Sequence, residues 1–219
     1  LTPNASQAQA RRRRLSPEER RGRILAAAME LFAERGYEGT SMIEIAQGAG
    51  ITAAVIYDHF PSKAALQVEL LERQSKELFA FIGASLSTAA SGPEARLRAG
   101  VDAFFRFVEE HPYAWRMMFR DPPSDPGVAA AYHRLSGVAT ETIASFIKTE
   151  VAAQLLRQED PGQAAEVFAQ LLRSAQVGLA TWWYENREVS REQIVERLLE
   201  FCWVGMERTV AAGRSADEA

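Results

Sequence analysis

Cysteine is almost missing from this chain, with Cys202 the single example in 219 residues. One thiol cannot close an intrachain disulfide, and no Cys/His pairing has zinc-site spacing, so a disulfide scaffold and a structural metal are both excluded. A reducing cytoplasm is the expected setting. No apolar run approaches the roughly 18 residues needed to cross a bilayer, and the opening residues lack the apolar stretch of a signal peptide. A soluble, non-exported protein with no membrane partner is expected. The chain starts at Leu1 rather than Met, so residues 1–10 are set aside from the fold reasoning. None of His59, His111 and His133 has a glutamate three residues before it, which removes the carboxylate-bridged di-iron bundle. No G-x-S-x-G elbow or P-loop occurs either. Gly48-Ala49-Gly50-Ile51-Thr52-Ala53 fits G-x-G-x-x-A, but a helical pattern precedes it where a dinucleotide fold needs a strand. No enzyme, cofactor or metal site is expected.

What the chain does have is ordinary globular material, 47% apolar and 25% charged, enough for a real core and sized for two units rather than one. Net charge is −4, which seems to oppose a nucleic-acid partner, yet its distribution carries more information than its sum. Residues 1–63 balance at +2 and the remainder at −6. Arg11, Arg12, Arg13, Arg14, Arg20, Arg21 and Arg23 face only Glu18 and Glu19, so the positive charge sits at one end.

Helical periodicity runs throughout, and no alternating stretch is long enough for a strand, so the fold class is all-α with about nine helices. Ser16-Pro17-Glu18-Glu19 is a helix start with a capping box, and Ile24, Ala28, Leu31 and Phe32 share a face before Gly36 stops the helix. Ser41 and Glu44 form a second capping box ahead of Met42, Ile45, Ala46 and Ala49. Gly50 permits a sharp turn, Thr52 opens a third short helix with Ile56 and Phe60 facing inward, and Pro61 ends it. Two brief helices joined through a glycine and preceded by a longer one form a helix-turn-helix. Further helices are expected from Ser62 to about Phe81, Pro93 to Glu110, Tyr113 to Phe119, Val128 to about Arg157, Pro161 to Glu185 and Ser190 to Ala212, with a loop over Ser85–Pro93.

Gly36-Tyr37-Glu38-Gly39-Thr40-Ser41-Met42, Ile45-Ala46, Ala49-Gly50-Ile51-Thr52 and Ile56-Tyr57-Asp58-His59-Phe60-Pro61-Ser62-Lys63, in register over about 50 residues, resemble the N-terminal domain of the TetR family of transcriptional regulators. The resemblance implies a helix-turn-helix domain over 16–62, a ligand-binding and dimerisation domain over 63–213, a basic arm at 1–15 and a tail at 214–219. It also implies that Thr52, Ala53, Ala54 and Val55 meet bases while Tyr57 and His59 hold phosphates of double-stranded operator DNA. The residues allow Tyr57 a partly buried place as well.

Chemistry adds candidates. Lys63 stands in the first turn of a helix, where the macrodipole disfavours a cation, so a phosphate is expected to offset it unless it is simply solvated. Thr40 and Ser41 are placed to donate to phosphate in the same way. Ile43 stands where the family often has arginine, and Ala53, Ala54 and Val55 replace a more polar stretch. Base reading then leans on thymine methyls, on Asp58 accepting from cytosine N4, or on DNA shape. The run containing Arg13 and Arg14 suits phosphate or minor-groove contact and equally a solvated tail.

Aromatic and thioether side chains concentrate in the second half. The resemblance implies a pocket there for a small apolar effector, expected among Phe104, Phe107, Trp115, Met118, Phe119 and Trp182. Arg116, Arg120 and His133 could orient a polar group or lie at the surface. Gly178–Tyr184 and Phe201–Gly205 resemble the last two helices of family members, which implies a homodimer packed through them and two half-sites of a near-palindrome. Repression, relieved when the effector favours another bundle shape, is the family's common habit and the expectation here.

Overall fold

The computed structural model describes residues 16–119, 125–151 and 161–203. Among these it is helical, with no strand. In chain order the helices are α1 (Pro17–Arg35), α2 (Met42–Gly48), α3 (Ala53–His59), α4 (Lys63–Thr88), α5 (Pro93–Glu110), α6 (Pro112–Phe119), α7 (Pro126–Phe146), α8 (Pro161–Glu185) and α9 (191–203). The all-α expectation holds, and so do most of the boundaries.

The caps explain why. Ser16 accepts from the Glu19 amide at 3.0 Å while the Glu19 carboxylate accepts from the Ser16 amide at 2.7 Å, a closed capping box. Gly36 ends α1 at a φ of 72°, in the region that a side chain disfavours. The three-helix head then closes on Ile24, Ala28, Phe32, Ile45, Ile56 and Phe60, all nearly or fully buried, with Leu66 and Leu70 of α4 against them. Each of the isoleucine, leucine and phenylalanine side chains contributes about 1.5–3 kcal/mol of burial, and the Ala28 methyl less.

Two helices differ from the reading of the sequence. α4 runs on to Thr88 rather than stopping near Phe81. Alanine and serine are not breakers, and the Ser85, Ser87 and Thr88 hydroxyls donate to carbonyls three or four residues back, within the helix. The break spans residues 89–92 and closes at Gly92, which precedes α5 with a φ of 111°. α7 ends as an α-helix at Phe146 and continues as a π-helical segment, Ile147–Val151, a local widening of the helical turn. The remainder of the long helix expected to about Arg157, the Arg11–Arg14 arm, Arg120 and the last residues of the final helix lie outside the described residues.

Behind the head, α4 packs on α5 and α7, and α7 on α8. Phe105 meets Trp183 edge to face at 5.9 Å, and Trp115 stacks on Tyr184 at 4.9 Å. Trp183 donates through Nε1 to the Val189 carbonyl at 2.7 Å, fixing the turn into α9. Arg191 ties α9 to α5 by reaching Asp102 at 3.0 Å and Glu109 at 2.6 Å. The head joins the bundle along two seams, α1 against α4 and α1 against α6.

Candidate DNA-binding surface and interior cavity

The third helix is held from behind by one arginine. Arg21 on α1 donates to the His59 carbonyl at 3.1 Å, pairs through Nε and Nη2 with the Glu69 carboxylate of α4, and lies 4.3 Å above the Phe60 ring. A planar, permanently charged fork suits this triple duty. The clasp fixes α3 against both α1 and α4, and Gly50, at a φ of 69°, makes the tight turn that brings α3 across α2.

With Ile56 and Phe60 inward, α3 presents the rest of its surface. Thr52, Ala53, Ala54, Tyr57 and Asp58 are exposed, and Val55 and His59 are partly so. Tyr57 is 52% exposed, which decides between outward presentation and partial burial in favour of the former. Among the described residues, the side chains of Tyr57, Asp58 and His59 have no hydrogen-bond or ion-pair partner. Thr52 caps α3 by accepting from the Val55 amide at 3.4 Å. Exposed Ile43 on α2 adds an apolar side chain to this domain's surface.

Three expected phosphate ligands are placed differently from these. Thr40 is 3% exposed, and its hydroxyl donates to the Gly36 carbonyl at 2.9 Å and more weakly to that of Leu31. Lys63 donates to the carbonyls of Tyr37 at 2.7 Å and Thr40 at 3.0 Å, with its ammonium 4.1 Å from the Tyr37 ring centre. Two carbonyl dipoles and a ring face thus supply the negative potential that a cation at a helix N-terminus needs. Burial, aided by Asp125 and Glu38, pushes the Tyr37 phenol above its usual pKa. Ser41 is exposed, accepts from the Glu44 amide at 3.2 Å and donates to the Glu44 carboxylate at 2.7 Å. The Ser41 hydroxyl and the Ser41 amide, which donates to the same carboxylate at 2.9 Å, hold the Glu44 carboxyl below the ordinary carboxylate range, with Arg35 nearby. The partners of Thr40 and Lys63 are main-chain carbonyls, which no pattern of residue types announces.

The bundle encloses a cavity of about 160 Å³ between α4, α5, α6, α7 and α8. Its surface is overwhelmingly apolar, with Leu71, Leu78, Val101, Ile143 and Phe146 among its walls. Phe104, Met118 and Phe119 line it, as the sequence suggested. Phe107 and Trp115 do not border it: Phe107 is stacked on His111 at 4.5 Å, and Trp115 is buried against Tyr184. Trp182 is 48% exposed. Arg116 lies near the Tyr184 ring, and His133 borders an outer groove, not the cavity. Ser75, Arg173 and Gln176 on the wall were not singled out from the sequence, because on a periodic helix they read as surface residues.

Val167, Leu171 and Trp182 of α8 are apolar and outward, as is Phe201 of α9 at 79% exposure. No helix among the described residues is long and apolar enough to cross a membrane.

A helix-turn-helix head on a hollow helical bundle is the architecture of a transcriptional regulator. The family model of bacterial regulatory proteins of the tetR family matches residues 24–70, and that of the tetracyclin repressor-like C-terminal domain matches residues 93–205. This chain belongs to the TetR family of transcriptional regulators. It is 33% identical over 195 residues to the HTH-type transcriptional activator FasR of Mycolicibacterium smegmatis, covering 88% of this chain and 85% of that protein. It is 37% identical over 102 residues to the HTH-type transcriptional repressor KstR2 of Mycobacterium tuberculosis, covering 47% of this chain and 50% of the relative. Solved structures share the fold, two of them as follows. A putative transcriptional regulator from Pseudomonas aeruginosa PAO1 superposes with a TM-score of 0.76 at 22% identity, over 89% of this chain and 93% of its own. The fatty acid degradation regulator FadR from Bacillus halodurans does so with a TM-score of 0.73 at 16% identity, over 86% and 95%.

Proposed function

We propose that this regulator binds a near-palindromic operator as a homodimer through α3 and releases it when a small, mainly apolar effector fills the bundle cavity. The observation that carries the reading is the contrast in partners around α3. Lys63, Thr40 and Arg21 are all engaged internally, whereas the exposed Tyr57 and Asp58 and the partly exposed His59 have side chains without partners among the described residues. Polar groups held ready on a rigid helix are what phosphate and base-edge contacts require.

In this reading Ser41, Tyr57 and His59 contact phosphates, with Arg13 and Arg14 adding charge from the arm. Thr52, Ala53, Ala54, Val55 and Asp58 face base edges, where alanine and valine favour thymine methyls. Thr40 and Lys63 support α2 and the start of α4 from within. The apolar outer face of α8, with Phe201 on α9, is the dimer surface, and pairing there supplies the second half-site. Effector occupancy is felt through α4 and α6, which both wall the cavity and touch α1. A ligand that stabilises one bundle shape over another then shifts operator affinity by that difference.

Gel shifts of the full chain against DNA flanking its own coding region test the reading. We expect sequence-dependent binding that weakens steeply with salt; none under any ligand condition would sink it. We assign repression as the outcome, by occupancy of the promoter. A relative that matches along most of the chain is named an activator, so activation is the second reading. Transcripts of the bound genes rise on deletion of the regulator in the first case and fall in the second.

A further inference from the structure

Two neighbouring side chains on α8 depart from the apolar character of the cavity wall. Gln176 is 7% exposed and borders the cavity, and among the described residues its amide has no hydrogen-bond partner. Arg173, one helical turn earlier, borders both this cavity and a groove outside it. Its Nε is shielded from solvent and has no acceptor among the described residues. No carboxylate among the described residues pairs with Arg173. Glu166 on the same groove engages Lys148 at 3.3 Å, and Glu141 borders the groove without reaching the guanidinium. Arg96, the other cation on the wall, already has its guanidinium over the Phe146 ring at 5.9 Å.

A shielded guanidinium N–H and a buried amide without partners are costly to leave unmatched, and a protein that keeps both beside an empty space has room for what they lack. That missing part is an acceptor with negative charge. A neutral hydroxyl would serve Gln176 and leave the Arg173 charge uncompensated. A planar carboxylate matches the guanidinium fork and still has a lone pair for the Gln176 amide. The rest of the wall, with Leu71, Val101, Phe104, Ile143 and Phe146, accepts only hydrocarbon.

We infer that the effector is an amphipathic monocarboxylic acid, its hydrocarbon body in the cavity and its carboxylate held by Arg173 and Gln176. Because Arg173 also borders the outer groove, the head group sits on the side nearest solvent and the acid enters hydrocarbon first. This rests on the cavity being the effector site.

The test is calorimetric titration of the full chain with matched straight-chain carboxylates and alcohols, from octanoate and octanol to hexadecanoate and hexadecanol. Arg173→Met keeps the aliphatic stem and removes the charge. For at least one length we expect the carboxylate to bind wild type about tenfold or more tighter than its alcohol. Arg173→Met should erase that margin and leave the alcohol within about twofold of wild type, while Gln176→Leu weakens the carboxylate several-fold. Equal binding of acid and alcohol, unmoved by Arg173→Met, would overturn the head-group site and leave the cavity as an apolar effector site. Failure of both series to bind would remove the cavity reading and the inference with it. A thermal melt of each variant shows that the changes are local.

Discussion

The head and the bundle solve opposite problems with the same kind of helix. In the head, the polar side chains that tie its helices together are matched: Thr40 to two carbonyls, Lys63 to two carbonyls and a ring, Arg21 to a carboxylate, a carbonyl and a ring. In the bundle, Arg173 and Gln176 border open space without partners among the described residues, and α7 widens into a π-helical segment near that cavity. A satisfied, close-packed unit has one good arrangement and moves as a body. A bundle with a void and unmatched polar groups has alternatives whose balance an added molecule can set.

Four experiments break or sharpen that contrast. Phe60→Ala removes a 2%-exposed ring from the centre of the head and costs about 3–5 kcal/mol. Thermal melting of the purified chain should show an early transition belonging to the head, with operator binding lost at ordinary temperature and cavity ligands still bound. Next in size, Lys63→Met leaves the Tyr37 and Thr40 carbonyls without their charged donor and costs about 2 kcal/mol, measured by urea unfolding. If Lys63 served phosphate alone, stability would not change and only operator affinity would drop.

On the bundle side, Ala139→Leu places three carbons into the cavity wall and should stabilise the chain by about 0.5–2 kcal/mol. Operator affinity is expected to stay as it was, while release by any cavity ligand disappears. The smallest effect is acid sensitivity at α2. Glu44 has a folded pKa below its unfolded value, which is about 4.3. Its contribution is present above that value and lost as pH falls through the folded pKa. Glu44→Gln should therefore melt slightly below wild type at pH 6, and the gap should close as the pH drops below about 4, followed by circular dichroism.

The contrast also explains how much was legible in the sequence. The head is built from local rules, Ser16 with Glu19, Ser41 with Glu44, Gly36, Gly50 and Pro61, each acting within a few residues, so its helices could be placed closely. The end of α4 was less legible because Ala84, Ser85 and Ser87 neither break nor demand a helix, and Gly83 reads as a weak point within one. Tyr57 could be set outward from its angle to Ile56 and Phe60. Lys63 and Thr40 could not be set inward, because their acceptors are carbonyls brought near by the turn between α1 and α2. Phe104, Met118 and Phe119 were found as cavity walls by residue type. The same reasoning offered Phe107 and Trp115, which pack against neighbours on the other side, because composition does not say which side of a helix faces a void.

Helix α6 is eight residues long and has two obligations, one to the cavity through Met118 and Phe119 and one to α1, against which it packs. A substitution there cannot retune what is bound without disturbing how the head is seated. Ligand preference is freer to drift on the cavity-facing sides of α7 and α8, whose principal contacts among the described residues lie within the bundle and not with the head. Anyone wishing to redirect this protein as a sensor for another molecule should begin at Ala139, Ile143, Gln176 and Val177, and leave α6 as it stands.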